Sequence, residues 1–327
     1  MKAAVLTAVS APLVLQEVEK PSPSDGEALV ALRYAALNHR DVWIQKGLYA
    51  GLKFPIILGS DGAGTVVECR HSAWLGKEVI INPSLDWGPN EKAQQKSFRI
   101  LGLPDNGTFA EFLKIPIQNL CEKPAHLSWQ EAAALPLAGL TAYRALFSRA
   151  ALQPNEKVLI TGIGGGVALF ALQFALAIGA EVWVTSGSDR KLSRALAMGA
   201  KGGANYQTPD WDTPLKSVGF DVILDSAGGE GFSKLIDLAA PGARIVFVGA
   251  TRGPVKELVL QKIFWKQLSL LGSTMGSPAD FASMITFVTT HQIHPIVDCT
   301  FPLAEAETAL RYLDSAKQFG KIALEIS

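Results

Sequence analysis

Cysteine is scarce: Cys69, Cys121 and Cys299 are the three in 327 residues, and no two stand in Cys-x-x-Cys spacing. That pattern excludes a zinc ribbon or a disulfide framework and fits a reducing compartment. An excess of charge of one sign is also missing, since 30 Lys and Arg balance 30 Asp and Glu. A nucleic-acid or anionic-membrane partner needs a basic field that this balance does not supply. Charged residues make up only 18% of the chain against 48% hydrophobic ones, which excludes a disordered chain. No apolar run reaches the roughly 20 residues of a membrane span. The most apolar internal stretch, Val167 to Ala180, includes Gln173. Met1 to Leu15 resembles a short leader, but Thr7, Ser10 and Pro12 interrupt it, and the alternation of Val5, Thr7 and Val9 reads as an opening strand. The expectation is a cytoplasmic protein with a small-molecule substrate and neither a nucleic-acid nor a membrane partner.

At about 150 residues per domain the length predicts two domains. Up to Leu120 the chain is rich in short β-prone runs bounded by Gly, Pro, Asp and Asn, namely Ala28 to Tyr34, Ala63 to Cys69, Glu78 to Asn82 and Phe109 to Ile115. Frequent turns without long helical periodicity predict a barrel-like β domain. Pro83 to Asn106 has little periodicity and reads as a long surface loop. At Ser128 the run SWQEAAAL opens with a capping box, Ser128 and Glu131, and predicts an Ala/Leu-rich helix. Beyond Pro154 apolar strands alternate with helices: Val158 to Thr161, then a helix from Val167 to Ile178, then Val182 to Thr185, then a helix from Arg190 to Met198. Phe220 to Asp225, Arg244 to Gly249 and Leu268 to Gly272 are further strands, nearly all apolar because both faces are covered. The pattern is that of an α/β fold with a doubly wound parallel sheet. The tail from Ile293 returns to short strands around a helix from Ala304 to Ala316. The predicted division is residues 1–122, completed by 293–327, and residues 123–292.

Between the first strand of the second region and its helix stands TGIGGGVA, Thr161 to Ala168. Glycines let the backbone approach a diphosphate, and free N–H groups at the helix start offer donors and partial positive charge. Gly162, Gly165, Gly166 and Val167 are therefore candidate cofactor-binding residues, with Ala168 allowing close helix-to-strand packing. A strand before the turn and a helix after it are the context that a dinucleotide site requires. The end of the next strand bears on which dinucleotide. An NAD site places a carboxylate there for the ribose hydroxyls. This chain has Thr185-Ser186-Gly187-Ser188, with Asp189 too late and Arg190 and Lys191 directly after it. Loss of the acid removes repulsion against a 2′-phosphate, so Ser186, Arg190 and Lys191 predict NADP(H). The alternative is that Arg190 and Lys191 only decorate an exposed helix start.

At this point the chain resembles the medium-chain dehydrogenase/reductase superfamily over essentially its whole length. The landmarks are NHRD at Asn38 to Asp41, GLY at Gly47 to Tyr49, PIILGSDGAG at Pro55 to Gly64, ALPLAGLTAY at Ala134 to Tyr143, the glycine turn, LDSAGG at Leu224 to Gly229 and GKIALEI at Gly320 to Ile326. The resemblance implies a GroES-like β-barrel catalytic domain, a Rossmann domain and an active site in the cleft between them. In the zinc alcohol dehydrogenases of that superfamily the positions of Asn38, Ser60 and Leu137 are metal ligands, and the loop corresponding to Pro83 to Asn106 carries structural-zinc cysteines. This chain has none of them, which predicts an enzyme without zinc. Without a Lewis acid for an alkoxide, the branch it looks like is that of zinc-free quinone oxidoreductases and enone, enal or enoyl-thioester reductases, often labelled zinc-type alcohol dehydrogenase-like.

The resemblance also implies residue roles. Tyr49 matches a tyrosine that offers a proton or hydrogen bond to the reduced acceptor. Asn38 is placed to bond substrate oxygen or cofactor ribose, and Asp41 to anchor its loop. Thr141 resembles a residue near the nicotinamide ribose, and Tyr206 one that flanks the 2′-phosphate or adenine. Gly228, Gly249 and Ala250 follow strand ends where open α/β sheets place ligands. Lys321 stands near the cofactor-contacting tail or is a solvated lysine. Trp43, Leu48, Phe54, Trp87 and Phe264 are candidates for an apolar pocket, and the strand at Leu268 to Gly272 for the edge of a homodimer. The expected activity is NADPH-dependent hydride transfer to a quinone or an α,β-unsaturated carbonyl compound. The alternatives are a zinc-independent, NADP-linked alcohol dehydrogenase and a non-catalytic NADPH-binding protein.

Overall fold

The computed structural model describes residues 1–326. It divides into two compact units, Met1–Leu140 with Gly276–Ser327, and Thr141–Met275. The first unit thus joins both chain ends and extends further along the chain than residue texture suggests. The reason is packing: the helix Trp129–Ala134, capped by Ser128 and Glu131, lies on strands Glu27–Ala36 and Asp61–Cys69, and Met284 of helix Pro278–Thr290 lies against Gly139. Among the described residues no helix is long and apolar enough to cross a membrane.

In the first unit a seven-stranded sheet runs in the order Leu120–Glu122, Glu78–Ile81, Asp61–Cys69, Glu27–Ala36, Lys321–Glu325 and Val297–Pro302, with Phe112–Pro116 also paired to Glu27–Ala36. The long strand Glu27–Ala36 is the pivot. One edge of it pairs with Asp61–Cys69, while the other pairs first with Phe112–Pro116 and then with the C-terminal strand. Leu6, Leu37, Ile44, Leu58 and Phe109 fill one core beside this sheet, and Val30, Leu32, Val79 and Ile81 fill another. At the pivot the backbones approach so closely that a Cβ on Gly64 would lie 2.1 Å from the Ala31 carbonyl oxygen.

Residues 83–106 are mostly irregular and exposed, as their composition suggests, but they are pinned at a short strand pair. Ser84–Leu85 and Arg99–Ile100 pair antiparallel, and Trp87 is buried with its ring edge-on to Phe98 at 5.3 Å. Arg99 bridges Asp86 and Asp105 at 2.5 Å each. A lobe closed by its own aromatic pair and ion pairs has no need of the regular periodicity by which longer elements are recognised.

The second unit is a six-stranded parallel sheet ordered Gly202–Asn205, Glu181–Ser186, Lys157–Ile160, Phe220–Asp225, Ala239–Phe247 and Ser269–Gly272. Its order reverses between Lys157–Ile160 and Phe220–Asp225, the switch point where such sheets bind ligands. Val158, Leu159, Ile160, Val222, Ile223 and Leu224 are all buried, as expected of strands covered on both faces. Helices Gly166–Ala177 and Asp189–Ala197 start within one residue of the predicted positions.

Gly64→Ala should lower the unfolding free energy by about 3 kcal/mol, because the added methyl meets backbone that cannot rotate away. Chemical denaturation measures it, and a variant as stable as the parent would show that the paired strands separate at little cost.

Candidate active site

The glycine turn opens at the end of strand Lys157–Ile160. Gly162 has φ +70° and Gly164 φ +116°, conformations that favour glycine. Gly165 is the N-cap of the helix Gly166–Ala177, so the N–H groups of Gly166 and Val167 have no partner within the helix. A Cβ at Gly162 or Gly165 would meet nothing closer than 3.7 Å, which leaves room above the turn. Amides facing open space at a helix start are the donor set a diphosphate takes. The loop after strand Phe220–Asp225 is tied beside it through a buried carboxylate that the motif reading passed over. Asp225 accepts from the Thr161 hydroxyl at 2.7 Å and from the Gly228 N–H at 2.8 Å. A Cβ on Gly228 would lie 3.4 Å from Ala250, and one on Gly249 would lie 2.9 Å from the Ser226 carbonyl oxygen, so the two loops lie against each other.

At the end of strand Glu181–Ser186 no carboxylate faces the turn. Ser186 is buried and accepts from the Ser188 N–H, while Asp189 is turned to the Asn205 amide at 2.9 Å. Lys191 lies across the turn, with its Cδ at 2.7 Å from where a Cβ of Gly164 would be. Tyr206 lies over Gly187, where a Cβ would approach its ring to 2.9 Å, and the Arg252 guanidinium stands 5.2 Å from that ring. Lys191, Tyr206 and Arg252 therefore gather where the acid is missing. Arg252 had no signal in the sequence, standing 46 residues from Tyr206 and 61 from Lys191. Arg190 is exposed. Thr141 is buried, with its hydroxyl 4.0 Å from the Met275 sulfur.

The first unit carries a second polar group of residues. Asn38 precedes the helix His39–Gln45, and the Asn38 N–H donates to Asp41 at 2.8 Å. The amide Nδ2 donates to Asp61 Oδ2 at 2.9 Å, and Oδ1 accepts from Lys321 Nζ at 2.6 Å. Lys321 donates further to Asp61 Oδ2 at 2.9 Å and to the Leu37 carbonyl at 2.7 Å. The other oxygen of Asp61 accepts the Leu137 N–H at 2.7 Å. Lys321 is only 4% exposed and its three donor directions are taken, so it is not the solvated lysine allowed by sequence. Sheet register explains the meeting. Ala36 pairs with Asp61 on one side and Ala323 on the other, which brings residues 38, 61 and 321 together just beyond the strand end.

Next to this group Arg40 donates to the Ser60 hydroxyl and to the Leu101 carbonyl, both at 2.7 Å, and its guanidinium lies 5.2 Å from the Tyr49 ring. Ser60 also donates to the Leu101 carbonyl at 2.7 Å. Tyr49 is half-buried. Trp87 fills the lobe and donates to the Asn90 carbonyl, while Leu48 and Phe264 are 68% and 65% exposed. Asp61 and Arg40 were missed by sequence reasoning although they stand inside quoted motifs, because nothing in the chain states what a buried charge faces.

A parallel sheet with a glycine turn at its switch point, in a chain whose ends combine into a β unit, defines the class of two-domain nicotinamide-dependent dehydrogenases. Residues 24–125 match the family model of the alcohol dehydrogenase GroES-like domain, and residues 166–290 match that of zinc-binding dehydrogenase. The chain is 37% identical over 340 residues to a zinc-type alcohol dehydrogenase-like protein, YogA, of Leptosphaeria maculans, covering 96% of this chain and 95% of the relative. It is 28% identical to the acryloyl-coenzyme A reductase of Metallosphaera sedula, over 99% of each. A crystal structure of an NAD-dependent alcohol dehydrogenase superposes with a TM-score of 0.94 at 36% identity, covering 100% of both chains. The protein belongs to the medium-chain dehydrogenase/reductase superfamily and is an oxidoreductase of the nicotinamide-binding kind.

Burial pushes the Asp41 carboxyl up to about 6 from 3.8, against the lowering pull of Arg40, the Asn38 N–H and Lys321. Because the folded value lies above the unfolded one, native Asp41 holds its proton between about pH 4 and 6, and this contribution to stability is lost as pH rises through that window. Two pH units correspond to about 3 kcal/mol. Asp41→Asn should therefore gain about that much stability relative to the parent between pH 4 and 6, read from denaturation midpoints across the window. Parallel curves would remove the burial argument.

Proposed function

We propose that this chain is an NADPH-dependent reductase that works without zinc and transfers hydride to a quinone or an α,β-unsaturated carbonyl compound. The observation that carries the proposal is the Asn38, Asp61 and Lys321 cluster, in which the chain's own ammonium is the cation. A catalytic zinc needs three firm protein donors. Of the three positions where zinc relatives carry ligands, Asn38 is engaged by Lys321 and Asp61, Ser60 by Arg40 and Leu101, and Leu137 offers only a backbone N–H. Among the described residues no three His, Cys, Asp or Glu side chains form a metal-holding group. These residues do not fit a zinc ion, in contrast to the zinc-binding description of the family model.

The second unit's residues do fit a dinucleotide. Gly162, Gly165, Gly166 and Val167 would hold the diphosphate, and Ser186, Lys191, Tyr206 and Arg252, with the exposed Arg190, would receive a 2′-phosphate. When bound there, NADPH supplies a hydride. The rest of the chemistry falls to the first unit. Charge left on the acceptor's carbonyl oxygen takes a hydrogen bond from Asn38, and the Tyr49 phenol gives the proton that completes the saturated product. A conjugated acceptor suits this set, since conjugation spreads charge that an alkoxide would concentrate on one atom. The acryloyl-coenzyme A reductase relative supports the conjugated acceptor, whereas the NAD-dependent alcohol dehydrogenase structure makes NADH and an alcohol the readings to test against.

The edge strand Ser269–Gly272 follows directly on the helix Leu260–Trp265, where Leu260, Phe264 and Trp265 are exposed by 62%, 65% and 84%. An unpaired strand edge beside exposed aromatics supports a second copy of this chain as the partner. Trp265→Glu should then convert a dimer to a monomer in sedimentation, and a parent that is monomeric at micromolar concentration refutes the assignment.

The test of activity follows absorbance at 340 nm with chelator-treated protein, NADPH or NADH, and a quinone or a conjugated enal. NADPH should be consumed at least tenfold more efficiently than NADH, and Lys191→Ala should erase most of that preference. Tyr49→Phe should lower kcat about 100-fold with NADPH affinity intact. Activity that returns only with zinc, or an alcohol oxidised with NAD in preference, would overturn the proposal.

A further inference from the structure

Asn38 Oδ1, Lys321 Nζ, Asp61 Oδ2 and Asn38 Nδ2 form a closed ring of hydrogen-bonding atoms, with contacts of 2.6, 2.9 and 2.9 Å. Two consequences follow from its chemistry. An ammonium only donates, so the amide atom that faces it is the oxygen; a flipped amide would turn N–H against N–H. Closing the ring through Asp61 uses the Nδ2 proton on the same side as Oδ1. The second Nδ2 proton therefore points to the opposite side, away from Lys321 and Asp61, and no acceptor among the described residues takes it.

We infer that Lys321 and Asp61 are positioning residues, which lock the Asn38 carboxamide in one orientation and present its remaining N–H to the carbonyl oxygen of the acceptor. The inference rests on the proposed reductase reading and assigns what fixes its hydrogen-bond donor. A free asparagine side chain rotates and flips, and a donor that must reorient as charge develops stabilises it less than one fixed beforehand. The ring makes that fixation expensive to undo, since any other orientation takes one buried hydrogen bond from each of Lys321 and Asp61 and turns the amide N–H toward the ammonium. The Leu37 carbonyl and the Leu137 N–H hold the two charged groups in turn, so the donor is backed by backbone on both sides.

The test uses the full-length protein and the NADPH-linked assay with a conjugated enal. Lys321→Met alone leaves Asp61 buried without a counter-charge, so the main variant is the charge-neutral pair Lys321→Met with Asp61→Asn. Its kcat should fall at least 30-fold, with KM for the enal within threefold and NADPH affinity, read by fluorescence titration, within twofold of the parent. Asn38→Ala should cost a similar factor in the parent and almost nothing further in the double variant, because only an oriented amide contributes. Full additivity of the two losses, or an unchanged kcat in the double variant, overturns the inference.

If the double variant does not fold, the parent gives the answer by nuclear magnetic resonance of the Asn38 side-chain amide. Its two protons should be well separated and slow to exchange, and on adding NADP with a saturated ketone only one should shift. Averaged protons, or no shift of either, overturn the inference. A parent that turns over no conjugated acceptor refutes the reductase reading itself, and the amide spectrum then reports separately whether the orientation is locked.

Discussion

The buried ion pair of Lys321 with Asp61 joins segments separated by 260 residues, and the geometry of the first unit converges on it. Two charges this deeply buried are not a net source of stability, since desolvation offsets much of their attraction. Their effect is to specify arrangement. The pair is satisfied only if the C-terminal strand lies against Tyr34, Ala35 and Ala36 while Asp61 pairs across the other edge of the same strand. A slip of one residue would turn the lysine to the opposite face and leave the carboxylate uncompensated. The amide of Asn38 is then caught between the two charges.

Around that centre the neighbouring polar residues serve one another. Arg40 spans from the helix beside Asn38 to Ser60 and to the Leu101 carbonyl, which draws the lobe of residues 83–106 onto the strand that carries Asp61. Asp41 closes the other side by accepting the Asn38 N–H, at the cost of a carboxylate held in a dry place. Each of these buried charges has a structural bond, and two donors of the group have no protein acceptor among the described residues, the second N–H of Asn38 and the Nε of Arg40.

The second unit follows a different logic. Its switch point and glycine turn arise from strand order and backbone freedom, and the charges that tune it lie at the periphery. Lys191 crosses Gly164 because glycine leaves room for its methylenes, and Tyr206 lies on Gly187 for the same reason. Glycines in this unit thus serve two ends, leaving open space at Gly162 and Gly165 in the turn and seating side chains beside it. Asp225 holds the turn to the next loop by accepting from the Thr161 hydroxyl and the Gly228 N–H.

Local features were legible from residues alone. The capping box at Ser128 and Glu131, the apolar strands, the glycine turn and the missing acid after Thr185 depend on neighbours within a few positions, and each forms as its residues imply. The closure of the lobe of residues 83–106 was not legible, because it comes from the Trp87 and Phe98 contact and the Arg99 bridges, which have no period. Nor was the reach of the first unit to Leu140, which depends on a helix packing against strands far earlier in the chain. The sequence by itself determined the two kinds of architecture, the family and the dinucleotide turn, since these rest on short-range pattern and backbone conformation. The tertiary structure alone decided that Lys321 is an internal cation, that Asp61 and not solvent neutralises it, and that Arg252 joins Tyr206. The physical reason is that an ion pair or a buried hydrogen bond is a fact of register between distant strands, and register is settled only when the whole sheet closes.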